Sequence, residues 1–327
     1  MDYVGAPTDR DYPVRPPSET QSSSVSGFSE VSNYLETRSS QTSNNQDQDG
    51  DNGGDDDEED EEDDDDDVDS NGYTIREPAY TTQELAAIIL DFYKFLTTLH
   101  YDSTHLKVPP SEGWPNLTPE VYSVFNKSEY VLDLLRHMPY FDRSDGLVGF
   151  HYKSALLDYT TYTSRDFEAE NEFEDMMEME FWSDEGLADP RHFFRISEGH
   201  ESGGRQMWLN AKDGEITELI IRMDQCSPVD IQTYFEGLKE QYRKLELLPS
   251  PGVVTQETDV VPESNHRITE EQLYAQESKW MTDLDIQFSR QLYRDYGWPE
   301  NFQREKCWEE VYRLSGERGA LWEGTCY

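Results

Sequence analysis

Two β-prone runs flank a single Asp-Gly pair, and they constrain this chain most. "RQMWLNA" ends at Ala211, Asp213-Gly214 makes the turn, and "EITELIIRMD" follows. Asp-Gly between apolar runs is a strong hairpin signal, because a tight turn needs a left-handed backbone that glycine adopts without strain. An antiparallel pair near the middle of 327 residues has to bury a face, so the flanking segments must supply a cover.

Upstream, "RHFFRIS" reads as another strand, joined to the first by "EGHESGGR". That loop resembles a nucleophile elbow of the form GxSxG centred on Ser202. The elbow needs a strand before it and a helix after it. Here His200 occupies the place of the first glycine, and the continuation is strand-like. The expectation is a hairpin loop; a serine hydrolase using Ser202 is one rival reading of the chain, and an acidic chaperone or transcription-related binder of basic proteins, acting through 49–69 and 167–182, is another. "HYKSALLDYTTYT" adds further strand-prone sequence, so the sheet is expected near 147–222.

The cover is helical. "TTQELAAIILDFYKFLTTL" puts Leu85, Ile88, Ile89, Phe92, Leu96 and Leu99 on one stripe, and Thr81 with Glu84 forms a capping box. Thr118-Pro119 and Ser128 start helical segments that end at Pro139. Ser227-Pro228-Val229-Asp230 begins another, with Ile231, Tyr234, Phe235, Leu238, Tyr242 and Leu245 on one face. Residues 248–266 read as a linker. Beyond them Thr269 and Gln272 form a further capping box, Leu273, Trp280, Leu284, Phe288 and Leu292 line an amphipathic helix, and a last helix is expected from about Asn301 to Ser315. "GWP" occurs at 113–115 and 297–299, each time shortly before a helix, which suggests a shared packing device.

The expected fold class is therefore α+β: an antiparallel sheet flanked by helices, spanning 80–250, with a helical extension at 268–327. An acidic insertion near 165–189 contains "FEAENEFEDMMEMEFW", Phe167 to Trp182. It reads either as an acidic-hydrophobic binding segment or as an insertion loop whose aromatics dock on the sheet. Residues 1–72 are rich in Ser, Asp, Asn and Gln and include thirteen consecutive acids at 55–67. Too few apolar groups stand there to offset the ordering entropy, so a disordered tail is expected.

Charge narrows the partners. The net charge is −43; residues 1–72 contribute −20 and residues 73–327 contribute −23. A body and a tail that are both negative repel phosphate backbones and anionic lipid. Direct nucleic-acid binding and membrane association are not expected; other proteins with basic surfaces are. Trp114, Trp182 and Trp208 are the candidate partner contacts. Three cysteines without CxxC spacing suggest neither a disulfide framework nor a zinc site. The first residues, "MDYVGAPTDRDYP", carry no apolar leader core, so a reduced setting, cytoplasmic or nuclear, is expected. Asp47, Asp49, Asp51 and Glu58 approach EF-hand spacing, but Asn52 stands where the turn needs glycine. No cofactor, metal site or catalytic residue is expected.

"ISEGHESGGRQMWLNAKDGEITEL" and "SPVDIQTYFEGLKEQYRKL" together resemble the Gly-rich turn, central strand, Asp-to-Gly strand and closing helix of the SUKH superfamily, which includes fungal cell-wall assembly regulators and bacterial toxin-immunity proteins. Asp213 and Gly214 match its acid and glycine, with Ile216 in the apolar place. The resemblance covers about 80–250 and implies a non-enzymatic α+β protein-interaction module.

Overall fold

Thr81 and Glu84 close both hydrogen bonds of the capping box and so start α1 (Thr82–Leu99), whose stripe Leu85, Ile89, Phe92, Leu96 is fully buried. The computed structural model describes residues 68–318 except 70, 74, 144–148, 178–181, 184–185, 224, 250–254 and 278–281. The acidic tract and the Asp47–Glu58 spacing lie outside the described residues. After α1 come β1 (Leu106–Lys107), α2 (Pro119–Tyr122), α3 (Glu129–His137) and β2 (Tyr140–Phe141), which pairs with β1. Ser128 caps α3 by accepting from Val131 N–H.

The sheet begins with β3 (Gly149–His151) and β4 (Ser154–Leu156). The strand-prone run then ends earlier than its composition suggests, because Asp158 caps a single 3-10 turn and α4 (Ser164–Met177) follows. Next come the small hairpin β5 (Trp182–Ser183) and β6 (Gly186–Leu187), then β7 (Phe193–Gly199), β8 (Arg205–Asn210), β9 (Glu215–Ile220) and β10 (Val229–Asp230). The strand order is β10-β9-β8-β7-β4-β3, antiparallel throughout. The Asp-Gly turn joins β8 to β9 as the sequence suggests. Gly214 has φ +68°, and Asn210 ties the turn by accepting from the backbone N–H groups of Lys212 and Asp213.

Alternation along the strands gives the sheet two different faces. Phe194, Ile196, Met207, Leu209 and Ile216 join the main core with α1, α3 and α5 (Ile231–Lys244). The opposite face carries Phe193, Arg195 and Trp208 under α4.

The described residues of the stretch read as a linker are structured. They hold the hairpin β11 (Leu247–Pro249) and β12 (Thr255–Glu257), and Tyr152 bridges Thr255 so that β12 lies along the outer strand. Past it, α6 (Glu270–Tyr274), α7 (Asp283–Asp295) and α8 (Arg304–Arg318) complete the chain. The amphipathic helix expected across 273–292 is two helices, each opened by its own capping box. The last helix passes through Gly316 instead of ending before it. Leu273, Phe288, Tyr293, Cys307 and Leu314 share the core of α1 and the sheet. Accordingly the described residues all fall within one compact unit, 64–327.

Arg290 on α7 shows how the extension is held. Its buried guanidinium donates to the carbonyls of Leu245, Thr258 and Val261, with no carboxylate among these partners. Leu245 ends α5, so a cation sits where the last carbonyls of that helix point. The two "GWP" stretches are the same device used twice. Gly113 and Gly297 have φ +77° and +89°. Each swings the next tryptophan onto the end of a helix: Trp114 Nε1 donates to Met138 O after α3 at 2.9 Å, and Trp298 Nε1 to Tyr242 O in α5 at 2.8 Å.

Candidate functional site

Helix α4 gives the acidic 167–182 segment a geometry. Its inner side holds Phe167, fully buried against Phe125, Tyr159 and Tyr162. One turn on, Glu170 takes three hydrogen bonds from Arg195 of β7, at 2.7–2.9 Å, and one from Tyr162 Oη at 3.1 Å. Phe173 follows, its ring parallel to that of Trp208 at 6.5 Å, with the Arg195 guanidinium 4.1 Å from Phe173 and 5.9 Å from Trp208. Glu174 pairs with Lys127 at 2.5 Å. Burial pulls the Lys127 ammonium down and pushes the Glu174 carboxyl up, and each partner opposes the other's shift. Asn171 completes the attachment by donating to Val124 O. The segment read as a binding motif or a loop is thus a docked helix whose described aromatics point inward.

The outer side of α4 is left to acids. Glu168, Glu172 and Asp175 are exposed at i, i+4 and i+7 and so form one ridge, with Met176 70% exposed at its end. The only cation on the helix is Arg165, in its first turn. Lys127, which holds Glu174, also donates to Pro190 O. The next residue, Arg191, bonds Asp189 and reaches Asp69 at 2.8 Å. Asp69 stands two residues after the thirteen-acid tract. Asp69 is thus held on the body by Arg191, whose neighbour Pro190 is bonded by the lysine that holds Glu174.

Elsewhere the cations of the body are largely committed. Arg76 pairs with Asp213, Lys107 with Asp158, Arg143 with Glu198, Lys239 with Asp91 and Glu236, and Arg313 with Glu270 and Glu310. Acids outnumber bases about two to one in 73–327, with 47 against 24. Pairing on this scale consumes the cations and leaves a surplus of carboxylates at the surface.

A second polar cluster lies on the core side of the sheet. Arg205 of β8 bonds Glu257 of β12 and Glu218 of β9, and Tyr234 of α5 donates to Glu218 at 2.5 Å. His151 of β3 sits 3.4 Å from Glu257 and 3.8 Å from Glu218, while its Nδ1 accepts from Tyr152 N–H. Burial pulls the imidazole down to about 4, outweighing the pull of Glu218, and Arg205 adds to the effect. Burial pushes Glu257 up against Arg205. Every carboxylate here is engaged internally, so the group acts as a clasp across five elements. It was invisible in the sequence because its members are spread over residues 151–257.

The three tryptophans separate. Trp208 is 0% exposed, so it is not a partner contact: the alternation of β8 turns it toward the face that α4 covers. Trp114 is half-buried, with its indole N–H committed to Met138 O. Trp182 pairs with Leu187 in β5–β6, and its side chain lies outside the description. Ser202 is exposed in the turn between β7 and β8, a strand-to-strand connection and not a strand-to-helix elbow. The glycines serve the turn: a Cβ at Gly204 would lie 2.4 Å from His200 O. Among the described residues no group of three or more His, Cys, Asp or Glu is placed to hold a metal ion. No helix among them is long and apolar enough to cross a membrane. No family model matches the chain, and neither a curated protein nor a solved structure does.

Proposed function

We propose that the protein is a non-enzymatic interaction module, acting in the cytoplasm or nucleus, that binds cationic surfaces of other proteins. One observation carries this reading. The exposed ridge Glu168, Glu172, Asp175 stands on a helix docked through Phe167, Glu170 and Glu174, and its outer face is left to acids. A shaped acidic ridge on the body and an acidic tract in the sequence that precedes it suit two different tasks. The tract raises the encounter rate and the local concentration of a basic partner. The ridge, held in one geometry, selects among partners. Phe167 and Phe173 are spent on docking, which leaves acids and Met176 to meet a partner. The order α1, antiparallel sheet, Asp213-Gly214 turn and α5 supports a SUKH-like reading of the module, and that resemblance implies protein binding in place of catalysis.

The test is deletion of residues 49–69 in the full chain, with binding to a lysine-rich peptide followed in low and high salt. Screening tightens from about 8 Å at physiological ionic strength to about 3 Å at 1 M. The deletion is expected to slow association at low salt and to change little at high salt. Equal loss at both would refute a tether.

A further inference from the structure

His100 is the residue after α1, and its side chain is 6% exposed. Neither ring nitrogen has a hydrogen-bond partner among the described residues. The ring is held between Tyr101, with centroids 4.2 Å apart, and Tyr242 of α5, at 5.3 Å. Both tyrosine hydroxyls donate away from it, to Gly149 O and Phe150 O. The charge that acts on the ring is that of Arg304, the first residue of α8. Arg304 fastens that helix to the end of α1 by donating to Tyr101 O at 2.7 Å and pairing with Asp102 at 3.7 Å. An imidazole in this position has no acceptor to receive a second N–H and a fixed cation for a neighbour. We propose that His100 is a proton-operated release point for the C-terminal helix α8: taking up a proton requires the junction between α1 and α8 to open.

The electrostatics agree. Burial pulls the imidazole down to about 3, with Arg304 adding to the shift. The opposing acid, Asp102, is held below the usual carboxylate range by the backbone N–H of Thr104 and so stays charged through mildly acidic pH. Between pH 7.5 and 5 the closed junction therefore keeps a neutral imidazole, while an open one titrates near the ordinary value of about 6.5. Linkage then favours opening by about 30-fold over that interval. Release would uncover the inner side of α8, where Cys307, Val311 and Leu314 are buried in the common core.

Cys307 provides the readout. With Cys226→Ser and Cys326→Ser in the full chain, it is the remaining thiol of three. Its labelling by a pyridyl disulfide would be measured at pH 7.5 and pH 5, each rate divided by that of the unfolded chain at the same pH. The normalised rate is expected to rise about 30-fold with His100 present. It is expected to stay within about threefold in His100→Phe, which keeps a flat ring between the tyrosines, and in His100→Gln, which keeps a polar group that does not titrate. His151 remains in all three proteins, so an acid response arising there would persist in both variants. Persistence in either folded variant, or a flat profile in the His100 protein, would overturn the proposal.

Discussion

Replacing Glu170 with alanine is the perturbation that should most weaken the seat of α4. Arg195 and Glu170 are both buried and are joined by three hydrogen bonds. Removing one partner of such a pair strands the other charge and typically costs about 3–5 kcal/mol. Part of that is offset here, because Arg195 retains the faces of Phe173 and Trp208, worth about 1–2 kcal/mol in a desolvated site. Tyr162 loses an acceptor as well. The net expectation is a loss of about 2–4 kcal/mol, seen as a fall of about 1 M in the urea midpoint and as faster hydrogen exchange in α4. Glu170→Leu combined with Arg195→Met removes both charges and fills the space, and should lie within about 1 kcal/mol of the parent. A cost below about 0.5 kcal/mol for Glu170→Ala, or a double variant losing as much as the summed single changes, would refute the view that this pair seats the helix.

Two further expectations concern the core. His100 and His151 are both buried as neutral rings, with values drawn down to about 3 and about 4. A depressed base means that the unfolded chain binds more protons, so their contribution is intact above about pH 6.5 and is lost as pH falls toward the folded values. Each should account for about 2 kcal/mol of lost stability between pH 7 and 5; urea titrations across that range should show the decline, and His151→Gln should remove roughly half of it. At the Asp-Gly turn, a Cβ on Gly214 would lie 2.3 Å from the Tyr80 ring at φ +68°. Gly214→Ala should cost more than the about 1–2 kcal/mol of left-handed backbone strain alone. Adding Tyr80→Ala should relieve part of that cost, whereas strict additivity in thermal unfolding would show that the ring is not the obstacle.

The sequence was legible where structure is local. Thr81 with Glu84, Thr269 with Gln272 and the turn at Gly214 all form as read, because a cap or a turn is decided within a few residues. Helix α4 was not legible. It has a single fully buried apolar anchor, Phe167, and its strongest other attachments are Glu170 and Glu174, whose partners Arg195 and Lys127 stand 25 and 47 residues away. A helix that docks through ion pairs shows no apolar stripe. The hairpin β11–β12 was hidden by Pro249, Pro251 and Gly252, which look like a linker unless the strand it runs along is known. Trp208 looked like a surface anchor because composition alone does not say which face of a strand is covered.

The account rests on the outer ridge of α4, and charge reversal there tests it most directly. Glu168→Lys, Glu172→Lys and Asp175→Lys together change only exposed side chains, so the unfolding midpoint should hold within about 1 kcal/mol. Binding of the full-length triple variant to a lysine-rich peptide, measured by titration calorimetry from low salt to 1 M, should be weaker by about tenfold at low salt and should converge on the parent as salt rises. An affinity equal to the parent's at low salt, in a variant of unchanged stability, would contradict the proposal that this ridge meets the partner.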